Sequence, residues 1–190
     1  ERCMQYSTAQ FRKGLKIELD GEPFTIVDFQ HVKPGKGGAF VRTRMKSLIT
    51  GNVLEKTFRS GEKVDVPNLE ERKMSFLYQD DSGYWFMDTQ TFEQMNLSED
   101  HIEDAIGFLK ENVEVGILFH NGAPIGIDLP MFLELAVAET DPGIRGNTAS
   151  GGSKPAKLET GVTVQVPLFI SEGDVIKVDT RTKAYIERVS

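Results

Sequence analysis

The sequence predicts an all-β protein made of small sheets. Apolar and polar residues alternate with a period of two in most segments, which is the pattern of half-buried strands. Turn signals rich in Gly, Asn, Asp and Pro separate these segments at short intervals, and only one segment has helical spacing. Short, closely spaced strands are typical of small barrels. A length of 190 residues allows two or three of them.

The first segment, residues 1–66, has four predicted strands and a glycine-rich loop. The strands are placed at residues 15–19, 24–32, 39–48 and 53–58. Asp20-Gly21 and Thr50-Gly51-Asn52 supply turns, and residues 33–38 form the loop between the second and third strands. We predict a small barrel here, followed by a linker over residues 64–69, which contains Pro67.

The middle segment, residues 67–130, combines strands with the one helix. The strands are predicted at residues 73–78, 84–87, 113–119 and 125–129, the last two joined by an Asn121-Gly122 turn. Ser98 is a suitable helix N-cap. One apolar helix face is predicted from residues spaced i, i+3, i+4 and i+7, namely Ile102, Ala105, Ile106 and Leu109. This combination is compatible with an OB-type barrel.

The last segment, residues 131–190, is again predicted to be strands. They are placed at residues 132–140, 162–166, 175–179 and 185–189. Residues 141–161 are rich in Gly, Pro, Ser, Thr and Lys and are predicted to be one long loop. Loops longer than about 12–15 residues are usually functional or disordered.

Charge is distributed unevenly along the chain. The net charge is −7, which argues against a general nucleic-acid binder. Residues 1–66 carry a net +4, residues 67–130 a net −10 and residues 131–190 a net −1. Residues 30–59 hold seven Lys or Arg and one acid, Glu55. Such a chain can present one end to phosphates, although a solvated basic face without a partner remains the alternative.

Composition excludes several classes of site. Cys3 is the single cysteine, so neither an internal disulfide framework nor a multi-cysteine zinc site is possible. We expect no metal site and no cofactor, and a reducing cytoplasm as the location. The longest apolar runs fall short of the roughly 18–20 residues of a membrane span, and no signal-peptide pattern is recognisable, so we expect no membrane association.

No catalytic constellation is convincing, and we expect the protein not to be an enzyme. There is no nucleophile-elbow signature. His101 and His120 are predicted to be surface residues, the first in a helical turn and the second beside a hairpin turn. The glycine-rich loop is not a Walker A motif, because Lys36 is followed by Gly37-Gly38 and then by a strand.

That loop is predicted to be the tip of a hairpin with one charged face. Side chains alternate across a strand, so Val41, Thr43 and Met45 should point one way on the third strand. Arg42, Arg44 and Lys46 should point the other way. We interpret the hairpin as a stem that contacts phosphates and a slim tip with one amine. An ordinary exposed hairpin is the alternative.

Several separated motifs resemble the bacterial elongation factor P family. The tip loop, His31 to Phe40, reads H-V-K-P-G-K-G-G-A-F. Phe11 to Leu15 matches the pattern F-R-x-G-L, and Glu55 to Phe58 reads E-K-T-F. Towards the C-terminus the matching positions are Lys154-Pro155-Ala156, Gly161, Val166-Pro167-Leu168-Phe169, Gly173, Asp179-Thr180-Arg181, Tyr185 and Arg188. The resemblance covers the chain from about residue 5 onward.

The resemblance implies three consecutive barrels in an L-shaped, tRNA-like arrangement. A KOW/SH3-like barrel at residues 1–66 would precede two OB folds, at residues 67–130 and 131–190. It also implies binding to both subunits of the ribosome between the P and E sites, beside the P-site peptidyl-tRNA. Such a factor stimulates peptide-bond formation at consecutive prolines. We expect it to act as a monomer.

The same resemblance assigns the site residues. Lys36 would reach towards the peptidyl-transferase centre and be extended by a lysine-modifying enzyme. The residues around it form the tip loop, namely Lys33, Pro34, Gly35, Gly37 and Gly38. Gly146-Asn147-Thr148 occupies the place of the family's G-D-T motif, with Asn in place of Asp, and would approach RNA. Tyr185 and Arg188 match a Y-x-x-R pattern, and either contact tRNA or only complete a barrel.

Two other function classes remain open. The first is a generic RNA-binding barrel protein without a role at the peptidyl-transferase centre, which would tolerate Lys36→Ala. The second is a small enzyme with the Lys36 amine as nucleophile. That amine would need a depressed pKa, which a solvated, glycine-flanked tip disfavours.

Overall fold

A computed structural model describes residues 4–143 and 152–190 of the chain. Within them, sixteen β-strands form three sheets, and the helical elements are short, so the all-β prediction is confirmed. No helix in these ranges is long and apolar enough to cross a membrane.

The first sheet has six strands in the order β1-β6-β2-β3-β4-β5, and every neighbouring pair is antiparallel. The strands are β1 (Gln5–Ser7), β2 (Lys16–Leu19), β3 (Glu22–Val32), β4 (Phe40–Ser47), β5 (Val53–Arg59) and β6 (Lys63–Asp65). A 3-10 turn at Thr8–Gln10 follows β1. The sheet encloses a core of buried apolar side chains, including Ile17, Ile26, Val41, Met45 and Phe58. The short strands β1 and β6 were not predicted from the sequence, and the predicted linker over residues 64–69 was too long, because β6 ends at Asp65 and the next strand begins at Leu69.

The second sheet has five strands in the order β11-β10-β7-β8-β9. They are β7 (Leu69–Asp80), β8 (Gly83–Asp88), β9 (Gln94–Leu97), β10 (Glu114–His120) and β11 (Ala123–Asp128). Its buried side chains include Met74, Phe76, Phe86, Val115 and Ile117. Strand β9 was also missed in the sequence.

The predicted helix is shorter and tighter than expected. An α-helical turn, α1 (Glu99–Ile102), continues as a 3-10 helix over Glu103–Phe108. A 3-10 helix has three residues per turn, and accordingly Ile102, Ala105 and Phe108 are buried. Ile106 and Leu109 are only half-buried. The predicted 3.6-residue apolar face was therefore wrong beyond Ala105.

Ser98 lies at the N-cap position but does not cap the helix through its side chain. Its Oγ lies 2.9 Å from Nδ1 of His101, and both residues are exposed. The prediction of an N-cap was right in position and wrong in mechanism, because the hydroxyl engages the histidine ring instead of a backbone N–H.

The third sheet has five antiparallel strands in the order β14-β13-β12-β15-β16. They are β12 (Phe132–Thr140), β13 (Ser153–Leu158), β14 (Thr163–Pro167), β15 (Val175–Asp179) and β16 (Ala184–Arg188). The edge strands β14 and β16 lie against each other, so the sheet is barrel-like. Phe108 inserts into its core.

Strand β13 corrects the prediction of one long loop over residues 141–161. Lys154, Ala156 and Leu158 are buried, while Pro155 and Lys157 are exposed. The period-two pattern is present, but a lysine occupies a core-facing position. Its ammonium group is satisfied because Nζ donates to the backbone oxygen of Asp141.

By internal contacts the chain forms two compact units. One contains residues 1–71 and 118–126, and the other contains residues 72–117 and 127–190. The predicted boundaries near residues 66 and 130 stay predictions.

Candidate nucleic-acid interface

The glycine-rich loop is the exposed end of the β3–β4 hairpin. The last paired residues are Val32 and Phe40, so residues 33–39 are free of the ladder. Every residue from Lys33 to Gly38 is exposed, and Lys36 lies at the centre. Ser60 N–H donates to the backbone oxygen of Ala39 at 3.0 Å, which ties the base of the loop to the end of β5. The lysine is therefore held at the tip of an ordered ribbon.

The three glycines of the tip are not equivalent. Gly37 has φ +105, a conformation that side-chain-bearing residues rarely adopt. Gly35 and Gly38 have no such requirement, and a Cβ added at either would meet nothing within 4 Å. Only Gly37 is thus required by the backbone of the loop itself. Nothing within this structure requires glycine at positions 35 and 38.

Strand β4 has the two faces predicted from its sequence. Val41, Thr43 and Met45 are fully buried, whereas the alternating Arg42, Arg44 and Lys46 are exposed. Because β4 is paired on both sides, by β3 and β5, its outer face is the middle of a three-stranded surface. We call this surface the basic face.

The basic face also carries two acids, which the sequence analysis did not place there. Directly opposite residues of antiparallel strands share a face. Asp28 of β3 and Glu55 of β5 are both register partners of Arg44. Arg42 instead lies between Gln30 and Thr57. The cross-strand row of Gln30, Arg42 and Thr57 therefore contains no acid. The next row away from the tip, Asp28, Arg44 and Glu55, contains two.

The acids engage neighbouring cations loosely. Arg42 Nε lies 3.5 Å from Glu55 Oε1, and Lys13 Nζ lies 3.6 Å from Asp28 Oδ1, with all four side chains more than half exposed. Exposed pairs of this kind contribute little to stability and are screened by salt. These cations can therefore exchange a carboxylate for a phosphate at small cost.

The pairing of Asp28 with Arg44 could have been predicted from the sequence. Asp28 and Arg44 are equidistant from Lys36, as are Gln30 and Arg42. A hairpin centred on Lys36 predicts this register. The bulge between Ile26 and Asp28, which shifts the pairing further down the strand, had no such signal.

The C-terminal candidate residues have structural contacts of their own. Tyr185 is half-buried and packs against the core of the third sheet. Arg188 is exposed, with its guanidinium 5.5 Å from the centre of the Phe169 ring and 3.9 Å from Asp174 Oδ2. Gly146, Asn147 and Thr148 lie outside the described residues, as does Cys3. Tyr185 thus takes part in the packing of the third sheet and Arg188 presents a cation to solvent, and contact of either residue with tRNA stays a prediction.

His120 was predicted to be a surface residue, and this was wrong. Its side chain is buried, and Nε2 donates to Oε1 of Glu18 at 2.8 Å. The two residues lie 102 positions apart in sequence, so no local pattern indicated the contact. Within the ranges 4–143 and 152–190, no three His, Cys, Asp or Glu side chains form a group that could hold a metal ion.

Comparison with known proteins agrees with this architecture. Residues 7–64 match the family model described as the elongation factor P KOW-like domain. Residues 69–127 match the elongation factor P OB domain, and residues 133–188 match the elongation factor P C-terminal region. The first two sheets therefore correspond to a KOW-like and an OB domain.

Individual relatives match over nearly the whole length. Elongation factor P of Natranaerobius thermophilus is 63% identical over 179 residues, covering 94% of this chain and 95% of the relative. Elongation factor P of Moorella thermoacetica is 57% identical, covering 96% and 98%. A solved structure of eukaryotic translation initiation factor 5A from Methanococcus jannaschii superposes with a TM-score of 0.57 at 28% identity, over 67% of this chain and 95% of that one. On these matches, the chain belongs to the elongation factor P family.

Proposed function

We propose that this chain, a translation elongation factor by family, binds the ribosome between the P and E sites beside peptidyl-tRNA. There it stimulates peptide-bond formation and relieves stalling at consecutive prolines. The observation that carries the proposal is the exposed Lys36 at the tip of an ordered hairpin whose stem bears Arg42.

The stem provides a grip on phosphates that does not depend on sequence. Phosphate contacts by Arg and Lys position a protein on nucleic acid without reading bases. Arg42, Arg44 and Lys46 are all exposed on this face, and Arg42, although loosely paired with Glu55, is the one of the three nearest the tip. Arg42 and the end of the strand at Phe40 are two residues apart, about 7 Å in a strand. A bound phosphate at Arg42 thus lies close to the base of the tip.

The tip is suited to a narrow site. Residues Lys33 to Gly38 are not paired in the sheet. Gly35 and Gly38 keep the loop narrow, although neither the backbone conformation nor the surrounding atoms of the loop require glycine there. A confined site that receives the tip, such as the one beside the CCA end of the P-site tRNA, supplies the missing reason. The amine of Lys36, extended by a modifying enzyme, would hold that end by charge and hydrogen bonds.

The chemical step belongs to the ribosome in this proposal. Proline is a poor reactant because its ring fixes φ and its nitrogen is a secondary amine. Holding the P-site substrate in a productive geometry lowers the entropy lost on reaching the transition state. The protein is therefore an accessory factor and Lys36 a positioning residue, with the cytoplasm as its place of action.

The test is translation of a Pro-Pro-Pro reporter in a purified system that lacks this factor. The natively modified wild-type protein should restore synthesis, and Lys36→Ala should not, although both bind ribosomes. Gly38→Ala is the second variant, since it should fold normally and still lose rescue if the tip enters a confined site. Gly126→Ala is its control, because a Cβ there also meets nothing within 4 Å.

Each outcome is decisive for one part of the proposal. Equal rescue by wild type and Lys36→Ala contradicts the role of the amine. Full rescue by Gly38→Ala contradicts the confined site. Failure of the modified wild-type protein to rescue, with ribosome binding intact, would favour a generic RNA-binding protein instead.

A further inference from the structure

Phe92 occupies a position where neither burial nor backbone conformation favours a phenylalanine. Its side chain is 70% exposed, so it contributes little to a core. Its φ is +61, in the left-handed region, which is an outlier for a bulky residue. Among the described residues, the other non-glycine residues with positive φ are Asp20, Asn112, Asn121 and Lys183, none of them aromatic.

The loop that carries Phe92 is tightly held. It connects β8 and β9, and Phe92 N–H donates to the backbone oxygen of Asp88 at 2.9 Å. The buried carboxylate of Asp88 accepts N–H bonds from Gln90 at 2.7 Å and from Thr91 at 3.0 Å. Thr89 donates through both N–H and Oγ1 to the backbone oxygen of Lys73. The surrounding bonds therefore hold the unfavourable backbone conformation and fix the direction of the Cα–Cβ bond of Phe92.

Other exposed rings in the described residues are already engaged. Phe169 contacts Arg188, Phe132 lies 5.2 Å from Lys177 Nζ, and Tyr78 stacks on Trp85. Phe92 is more exposed than any of these. Strained residues held by their surroundings occur preferentially at binding and catalytic sites. Aromatic side chains, phenylalanine among them, are enriched at protein–protein interfaces relative to the rest of the surface.

We propose that Phe92 is an anchor in a protein interface and that its partner is a basic protein surface with an apolar pocket for one ring. Charge decides between protein and nucleic acid. Residues 67–130 hold 13 acids and only three basic residues. Of these three, Lys110 forms an ion pair with Glu159 at 3.0 Å, Arg72 is half-buried beside Asp88, and Lys73 is the exposed cation that remains against the 13 acids. This segment repels phosphates and attracts cationic protein surfaces.

The inference rests on the proposed function only for the assembly that supplies the partner, namely the ribosome. Phe92 does not belong to the tip loop or the basic face. We expect Phe92 to contact a ribosomal protein, whereas we expect the basic face to contact RNA.

The first experiment measures affinity and stability separately. Phe92→Ala should weaken binding of the full chain to purified 70S ribosomes by about tenfold, and Phe92→Tyr should retain most of it. Phe92→Gly should lose affinity like Phe92→Ala while slowing hydrogen exchange of the β8–β9 loop amides, because glycine adopts positive φ freely. Ile49→Ala, which removes another exposed apolar side chain, is the matched control and should change neither.

The second experiment identifies the contact. A photoreactive p-benzoylphenylalanine replaces Phe92, and the ribosome-bound protein is irradiated. A crosslink to a basic ribosomal protein is the expected result. A crosslink to ribosomal RNA, no crosslink by a ribosome-bound protein, or unchanged affinity of Phe92→Ala would each overturn the inference alone. Absence of ribosome binding by the wild type would overturn the proposed function and this inference together.

Discussion

Two hydroxyl groups on the inner face of β4 should respond to removal with opposite signs. Thr43 and Ser47 are both buried, and both lie on the face that points into the first core. The Thr43 hydroxyl has no hydrogen-bond partner. The Ser47 hydroxyl donates to the Glu22 carboxylate and accepts N–H bonds from Ile49 and Thr50 at 3.2 and 3.1 Å. Substitutions at Thr43 and Ser47 therefore compare the effect on stability of a buried hydroxyl without a hydrogen bond with that of a hydrogen-bonded one.

The expected magnitudes follow from these contacts. A buried polar group without a partner costs about 1–3 kcal/mol, and valine keeps the shape and β-branching of threonine. Thr43→Val should therefore stabilise the first sheet by about 1–2 kcal/mol. Ser47→Ala removes a hydrogen bond to a carboxylate and leaves two N–H groups without their acceptor, so it should cost about 2–4 kcal/mol.

Native-state hydrogen exchange of the β3, β4 and β5 amides is the suitable assay. The chain contains several sheets, so one global melting temperature would not report the stability of this one. Every 1.4 kcal/mol is a tenfold change in protection. Thr43→Val should slow exchange and Ser47→Ala should accelerate it, with no change in the third sheet as internal control. Faster exchange in Thr43→Val would refute the reasoning, since it would show that the hydroxyl has a stabilising partner.

Three further predictions concern the charged face, a buried carboxylate and a crowded glycine. Glu55→Gln should strengthen RNA binding and steepen its salt dependence by about one charge, measured as the slope of log affinity against log salt, because it frees Arg42; an unchanged slope would contradict this. Backbone N–H bonds from the β8–β9 loop lower the pKa of Asp88 below its usual 3.8. The Asp88 carboxylate should therefore hold the β8–β9 loop fully ordered above pH 3.8, and this order should be lost as the pH falls through the lowered pKa. Hydrogen exchange of the loop amides measures it, and loss of their protection above pH 3.8 would refute the prediction. Gly143→Ala should destabilise the third sheet by about 2–4 kcal/mol in chemical denaturation because its Cβ would collide with the backbone oxygen of Leu168, whereas Gly126→Ala should be neutral.

The parts of the fold that the sequence predicted are those decided locally. The alternation of apolar and basic residues predicted both faces of β4 correctly, because successive side chains of a strand point to opposite faces of the sheet. The helix prediction failed where a local rule competes with packing. Ile102, Ala105 and Phe108 are buried on a three-residue repeat, and the tighter winding places Phe108 in the core of the third sheet. Strand β13 was missed because Lys154 occupies a core position that only its bond to the Asp141 carbonyl makes acceptable.

The site was partly predictable for the same reason. Lys36 and the three cations of β4 could be read from the sequence, and so could the opposition of Asp28 and Arg44, had the hairpin register been followed. The partnership of His120 and Glu18 could not, because it depends on how distant segments pack. The strain at Phe92 was equally hidden, since φ is a property of the folded loop.

The two faces of β4 allow stability and binding to change independently. Thr43 and Ser47 are buried in the core, whereas Arg42 and Lys46 are exposed to solvent. The tip loop depends on the core only through the backbone ladder that ends at Val32 and Phe40. Outer-face substitutions should therefore alter RNA affinity without altering amide protection, and Thr43→Val should do the reverse. A variant of Arg42 that lost protection in the first core would show that the charged face is part of the fold and not only a surface for a partner.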